Sequence, residues 1–227
     1  MAIQKAPPST AELIALGAPI VLRDGSRIRL RQGHPSDKAL LLRGFARLSP
    51  ESRHRRFLGA MPKMSGETVR YLTEIDHHDH EAIAALDEET GDGIGIARYI
   101  RDPARPDVAE AAVTVIDDWQ AKGVGRLLFE VLVGRARTEG IRTFTALMLA
   151  SNQAMMDVLK ALGPVRIIDQ EAGTVEVEMP IPATGLSPAL RKLLRVSARN
   201  SMTAPTGCKA VPNGRLFSGS GGSDASR

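Results

Sequence analysis

Apolar and polar positions alternate with a period of two over some stretches of this 227-residue chain and with a helical period over others. VLRDGSRIRLR, residues 21–31, alternates on either side of Asp24-Gly25, a pair that favours tight turns, and predicts a β-hairpin. Ahead of it, ELIALG after Ser9-Thr10 predicts a short helix stopped by Gly17. Three more helices follow. His34-Pro35-Ser36-Asp37 offers an N-cap before KALLLRGFARL. Ser49-Pro50-Glu51 opens ESRHRRFLGA with proline at the first helical position, and Ser65-Gly66-Glu67 opens ETVRYLTEI.

From residue 81 the texture changes. EAIAALDEETGDGIGIARYI reads as strand, polar turn and strand; DPARPD as a second loop; AEAAVTVID, residues 109–117, as another strand. Val124, Leu127, Leu128, Val131 and Leu132 then share one helical face, and Gly140 stops that helix, with Arg135 and Arg137 near its negative end. RTFTALMLA, residues 142–150, is a strand. Ser151-Asn152 caps QAMMDVLKAL, which Gly163-Pro164 ends. VRIID and TVEVEMPI, residues 165–169 and 174–181, predict a closing hairpin around Glu171-Ala172-Gly173.

This order predicts one α/β (α+β) domain over residues 20–182, with a mixed central sheet of about six to seven strands flanked by helices. Residues 1–19 are an N-terminal extension and 183–227 a basic tail, in which SPALRKLLRVSAR reads as helical and SGSGGSDASR as linker.

Composition narrows the class. An apolar share of 43% supports a sizeable core, which 4% aromatics makes mostly aliphatic. The single cysteine, Cys208, excludes an intrachain disulfide and a cysteine-based zinc site, and fits a reducing, cytoplasmic setting. MAIQKAPPST lacks the apolar core of a signal peptide, and no run reaches the ~18 apolar residues of a spanning helix. The net charge of +4 is concentrated in the tail, where Arg191, Lys192, Arg195, Arg199, Lys209, Arg215 and Arg227 face Asp224 alone. That tail reads first as a solvated extension and second as an arm for an acidic partner or nucleic acid.

Candidate chemistry sits in Gln120-Ala121-Lys122-Gly123-Val124-Gly125, between a strand and a helix. A helix N-terminus presents unpaired N–H groups and partial positive charge, and glycines there admit a phosphate close to the main chain. A P-loop is excluded because Gly125 is followed by Arg126-Leu127 rather than Lys-Ser or Lys-Thr. A dinucleotide fingerprint is excluded because Leu128 stands where a third small residue belongs.

The loop does resemble the Q/R-x-x-G-x-G/A loop of the GNAT N-acetyltransferases. The strand before it, the helix and strand after it, and the N-x-x-M of Asn152 to Met155 with a closing Leu162-Gly163 follow that family's order across residues 27–181. LSPESRHRRF (48–57), DHEAI (79–83) and AEAAVTVIDDWQAKGVGRLL (109–128) are similar to the protein lysine acetyltransferases of the Pat type. The resemblance implies a GNAT-like domain using acetyl-CoA as co-substrate and no metal. It also implies a free-standing catalytic domain, without the fused sensor or ligase-like domain common in that group.

By the same resemblance Glu110, in A-E-x-A-V context, is the general base, and the Val115 N–H meets the developing oxyanion. Gln120, Lys122, Gly123, Val124, Gly125 and Arg126 hold the pyrophosphate, and Asn152 touches the pantetheine arm or serves only as an N-cap. A lysine amine near pKa ~10.4 must lose a proton before attack, so the base is expected to be partly desolvated to raise its pKa from ~4.3. Many relatives carry a tyrosine as general acid where Leu159 stands here, which leaves that role unassigned.

DHHDH, residues 76–80, offers His77, His78 and His80 as metal ligands, but adjacent residues in an extended loop cannot all face one ion. A loop at the acceptor entrance, with His80 in the substrate wall, is the reading preferred. Trp119 is expected to pack. The expected acceptor is a protein lysine, on an acyl-CoA synthetase-like target; the alternatives are a small amine, or a non-catalytic CoA-binding or nucleic-acid-associated module. An open acidic groove would suit a protein, a closed pocket a small amine. Neither a membrane nor nucleic acid is expected as partner, and a monomer or homodimer is.

Overall fold

The computed structural model describes residues 19–182. The helices expected after Ser9-Thr10 and in SPALRKLLRVSAR, the basic tail and Cys208 lie outside the described residues. Among the described residues eight strands form one sheet: β1 (Ile20–Val21), β2 (Arg27–Gln32), β3 (His80–Asp87), β4 (Gly93–Asp102), β5 (Arg105–Val115), β6 (Thr143–Leu149), β7 (Arg166–Glu171) and β8 (Thr174–Pro180), ordered β1-β2-β3-β4-β5-β6-β8-β7. The count exceeds the expected six to seven because the hairpin at Asp24-Gly25 leaves a two-residue β1 on the sheet edge. Every neighbouring pair is antiparallel except β5 and β6, so the sheet is mixed.

Three helices, α1 (Lys38–Ala46), α2 (Pro50–Phe57) and α3 (Gly66–Thr73), cross between β2 and β3. Ser49 and Ser65 cap α2 and α3 through their hydroxyls, as their sequence positions imply. Helix α4 (Val124–Thr138) links β5 to the parallel β6, and α5 (Gln153–Lys160) follows β6. Among the described residues no helix is long and apolar enough to cross a membrane.

The two faces of the sheet are divided by alternation along β4. Gly95 faces α4 so closely that a Cβ there would meet Leu128 Cδ1 at 3.0 Å, and Tyr99 on the same face packs with Phe144, which in turn meets Phe129 of α4. The core on this side is fully buried, with Leu128, Phe129 and Leu132 at 0% exposure. Residues 96 and 98 turn to the other face, where the Arg98 guanidinium reaches the Leu72 carbonyl on α3.

The loop expected over DPARPD shrinks to the two-residue turn Pro103-Ala104. β5 begins at Arg105, and Pro106 falls in the register break between the pairs Arg101–Ala109 and Asp102–Arg105, where the missing N–H costs no ladder bond.

Candidate acetyl-transfer site

The sheet opens where β5 and β6 part. Their parallel pairing runs through Val108–Thr143, Ala109–Phe144 and Glu110–Thr145, and ends there. Beyond Glu110, β5 keeps its partner only on the β4 side as far as Val115. Ile116 donates its N–H to the Ile94 carbonyl at 3.0 Å, so alternation turns the Val115 N–H toward the vacated β6 side. The splay forms a cleft of about 740 Å³, within the range of small-molecule sites. Glu110, Val115, Gln120, Gly123, Gly125, Arg126 and Asn152 all line it.

The loop at its end is built for an anion. Gly123 adopts φ +87° as the N-cap of α4, a left-handed conformation suited to glycine, and a Cβ there would project into open space. The first helical bond is from Leu127 N–H to the Gly123 carbonyl. The N–H groups of Val124, Gly125 and Arg126 therefore make no hydrogen bond among the described residues and stand at the positive end of the helix dipole.

Other side chains from the motif are engaged inside the protein. The Gln120 amide donates to the Val115 carbonyl (3.0 Å) and Ser52 Oγ (3.1 Å), fastening the loop to the splayed strand and to α2. Lys122 Nζ pairs with Asp24 at 3.2 Å and lies 4.7 Å from the centre of the Trp119 ring, outside the cleft lining. Val124 is buried, leaving only its main chain available. Arg126 pairs with Glu130 at 2.9 Å along the helix. Asn152 acts as the N-cap of α5, accepting from the Met155 N–H at 3.2 Å, while also lining the cleft.

Leu159 does not face the cleft; it is 1% exposed, in the core. One helical step of 100° puts Val158 on the cleft instead, beside Met155 and Ala154, and none of the three has a proton to give. Glu110 is exposed at the mouth, so the desolvation expected of a base is absent in this structure. Nor is the groove acidic: the other charged residues of its lining are Arg55, Arg56 and Arg126, with Arg55 paired to Glu51.

The histidines of DHHDH diverge. His77 Nδ1 meets the buried Glu81 at 2.8 Å, His78 Nδ1 meets Glu139 at 2.7 Å, and His80 Nε2 accepts from Arg98 at 3.0 Å. His80 thus stands behind Arg98 rather than in the cleft wall. Burial first, then the Arg98 charge, push its pKa down to about 4.

Comparison with known proteins adds the family. Residues 46–163 match the Acetyltransferase (GNAT) family. The chain belongs to the GNAT family of acetyltransferases. It is 32% identical over 170 residues to the acetyltransferase Pat of Mycolicibacterium smegmatis, a match covering 75% of this chain and 50% of that one; the chain thus spans half that relative's length. It is 34% identical to an acetyltransferase of Pseudomonas aeruginosa, covering 67% of this chain and 83% of that one. Among solved structures, the GNAT domain of PAT from S. lividans superposes with a TM-score of 0.66 at 33% identity, covering 72% of this chain and 96% of that domain. In this GNAT chain the splayed β5 edge and the open α4 N-terminus fit a diphosphate-bearing thioester: unbonded N–H groups, a missing Cβ at Gly123 and a cleft that joins both.

Residues without an assigned role in the sequence also reach the site. Ser52 and Arg56 belong to LSPESRHRRF, so that segment was the available signal. Arg98 carried none.

Proposed function

We propose that this chain is an acetyl-CoA-dependent N-acetyltransferase that acetylates a protein lysine by direct transfer, with its catalytic domain over residues 20–182. The observation carrying this reading is the convergence on one cleft of the open α4 N-terminus, the vacated edge of β5 and the Glu110 carboxylate. Acetyl-CoA supplies the acetyl group as a thioester. The chain does the rest. The N–H groups of Val124, Gly125 and Arg126 hold the diphosphate, and the Val115 N–H, free of a strand partner, stabilises negative charge developing on the carbonyl oxygen. Glu110 takes the proton from the acceptor ammonium, directly or through water, so that the neutral amine attacks. Exposed in this structure, it becomes desolvated when cofactor and acceptor close over it. With Val158 and Met155 on the adjoining helix, the thiolate leaves without a side-chain acid from α5.

The resemblance of LSPESRHRRF, DHEAI and AEAAVTVIDDWQAKGVGRLL to lysine acetyltransferases of the Pat type supports a lysine acceptor. A small amine is favoured by one observation, the arginines rather than carboxylates around Glu110. Calorimetry with acetyl-CoA, followed by thiol release on a panel of acyl-CoA synthetases and small amines, tests the function. Glu110→Gln is expected to lower kcat by about 10²–10⁴-fold near neutral pH while leaving acetyl-CoA affinity intact. Unchanged turnover in that variant removes Glu110 from the mechanism, and no acetyl-CoA binding by the unaltered protein removes the function.

A further inference from the structure

Arg98 lies directly across β4 and β5 from Ala112, which puts it two residues from Glu110 on the same face of the sheet. Diagonal neighbours of this kind are about 7–8 Å apart. The Arg98 side chain is buried, at 5% exposure. It donates to the Leu72 carbonyl at 3.2 Å and to His80 Nε2 at 3.0 Å, and neither partner is an anion, since His80 is neutral at physiological pH. Arg56 descends on the same region from α2. It lines both the Glu110 cleft and a second cavity of about 90 Å³ between α1, α3 and the sheet, which Arg98 also lines. Among the described residues Arg56 makes no hydrogen bond or ion pair, and its guanidinium lies 5.2 Å from the centre of the Phe57 ring.

Among the described residues no group on the cavity walls compensates these two charges, and Glu110, on the cleft side, is the carboxylate that acts on Arg56. Asp37 is held by both terminal nitrogens of Arg31, at 2.6 and 2.7 Å, and the His34 ring bonds Ser36. Thr73 turns its hydroxyl back to the Val69 carbonyl. Burial first, then repulsion from Arg56, lowers the Arg98 pKa to about 9. Burial lowers that of Arg56 as well, opposed by the charge of Glu110. Arg98 is buried and Arg56 half-buried, and two neighbouring cations of which one is out of water are costly until an anion joins them. A guanidinium fork is the side chain best matched to a carboxylate.

We propose that Arg56 and Arg98 form an acceptor subsite that seats a carboxylate carried by the acceptor, in the cavity under α1 and α3, while the acceptor's amine stands at Glu110. The subsite rests on the acetyl-transfer reading of the cleft and narrows its acceptor to an amine with a nearby carboxylate. A cavity of about 90 Å³ accommodates that group and a short stem, since about 10–15 Å³ in this measure holds one water. A free amino acid supplies this chemistry, and so does an acidic residue beside a protein lysine.

Binding without acetyl-CoA tests it. The protein, in chloride-free buffer, is titrated calorimetrically with N-acetyl-glycine, N-acetyl-glutamate and N-acetyl-lysine, and with the matching carboxamides. At least one carboxylate is expected to bind about tenfold or more tightly than its amide, with Arg56→Gln and Arg98→Gln each removing the preference. Arg56→Gln carries the test if Arg98→Gln fails to fold, because the Arg56 side chain bonds nothing that the fold requires. No preference in the unaltered protein, or a preference surviving in Arg56→Gln, overturns the subsite. A lysine peptide with aspartate beside the lysine, compared with its alanine counterpart, identifies the source: preference for the aspartate peptide assigns a protein acceptor, and preference confined to the amino-acid derivatives assigns a small one. Acetyl-CoA titrations in the same samples keep the two claims separate. Acetyl transfer indifferent to the carboxylate refutes the subsite alone, whereas absence of acetyl-CoA binding refutes the function beneath it.

Discussion

Ser49 and Asp117 are joined twice: Asp117 Oδ2 accepts the Ser49 main-chain N–H at 2.9 Å, and Oδ1 accepts its hydroxyl at 2.7 Å. Ser52 Oγ donates to the same Oδ1 at 3.0 Å and accepts from the Gln120 amide. The cap of α2 and the loop entering α4 are thereby one bonded unit, so LSPESRHRRF and the glycine loop act on the same cleft.

Asp117→Ala is expected to destabilise the domain by about 1.5–3 kcal/mol, the range for hydrogen bonds to a charged group, and to weaken acetyl-CoA binding by loosening the loop. Burial alone would raise the Asp117 pKa, but the bonds from Ser49 and Ser52 outweigh it and hold it below the usual carboxylate value. A carboxyl depressed on folding stabilises above its unfolded pKa of ~3.9 and loses that contribution as pH falls through the folded value. Urea melts at pH 7 and pH 3 check both points: the gap between variant and parent shrinks in acid.

Gly123→Ala separates strain from obstruction. Its φ of +87° disfavours any side chain by about 1–2 kcal/mol, and its Cβ would stand in the open space of the cradle. Gly91, in the β3–β4 turn at φ +72°, has similarly open surroundings and serves as control. Both alanine variants should lose comparable stability, while only Gly123→Ala loses acetyl-CoA affinity, by about tenfold or more, read by calorimetry. Equal affinity in the two would remove the loop from the binding site.

Much of this arrangement was legible because local signals agree with the global fold. Ser49, Ser65 and Asn152 each cap the helix they precede, and Ala172-Gly173, with φ of +47° and +84°, make the turn of the last hairpin. What escaped depended on tertiary context. Pro103 and Pro106 suggested a loop, yet a register break lets β5 begin at Arg105. Leu159 and Val158 differ by one helical step, and sequence spacing did not resolve which faces the cleft. Nothing in the alternating strand around Arg98 marks it, and α3 packed over it makes it a buried cation.

Glu81 provides a test of the buried charge network. At 0% exposure it accepts from Arg135 Nε at 3.0 Å, the Gln32 amide at 2.8 Å and the Ala82 N–H at 2.9 Å, with His77 at 2.8 Å. Arg135→Met leaves that carboxylate without its cationic partner and should cost about 3–5 kcal/mol. At about 2–4 °C per kcal/mol for a domain of this size, the melting temperature falls by roughly 6–20 °C. Adding Glu81→Gln removes the stranded charge, so the double variant should recover part of the loss. A double variant no more stable than Arg135→Met would mean that the charge is not what the arginine compensates.

His80 sets a pH dependence of opposite origin. Its pKa falls to about 4 from an ordinary 6.5, through burial and then the facing Arg98 guanidinium, so the unfolded chain binds a proton that the folded chain refuses. Between those values the unfolded state holds more protons, and stability rises with pH; it is lost as pH falls from 6.5 toward 4. Replacing the imidazole by an uncharged amide removes that slope, and the amide does not reproduce the ring nitrogen's aim at the Arg98 guanidinium. His80→Gln is therefore expected to flatten the stability profile between pH 4 and 6.5 relative to the parent, measured by urea midpoints across that window. Because Arg98 relies on His80 for one of its two bonds, the same variant should also weaken binding of the carboxylate probes above pH 6.5, where the parent His80 is already neutral. A flattened slope with unchanged probe binding would make His80 a buried base only, and an unchanged slope would mean that its imidazole is not held neutral by the fold.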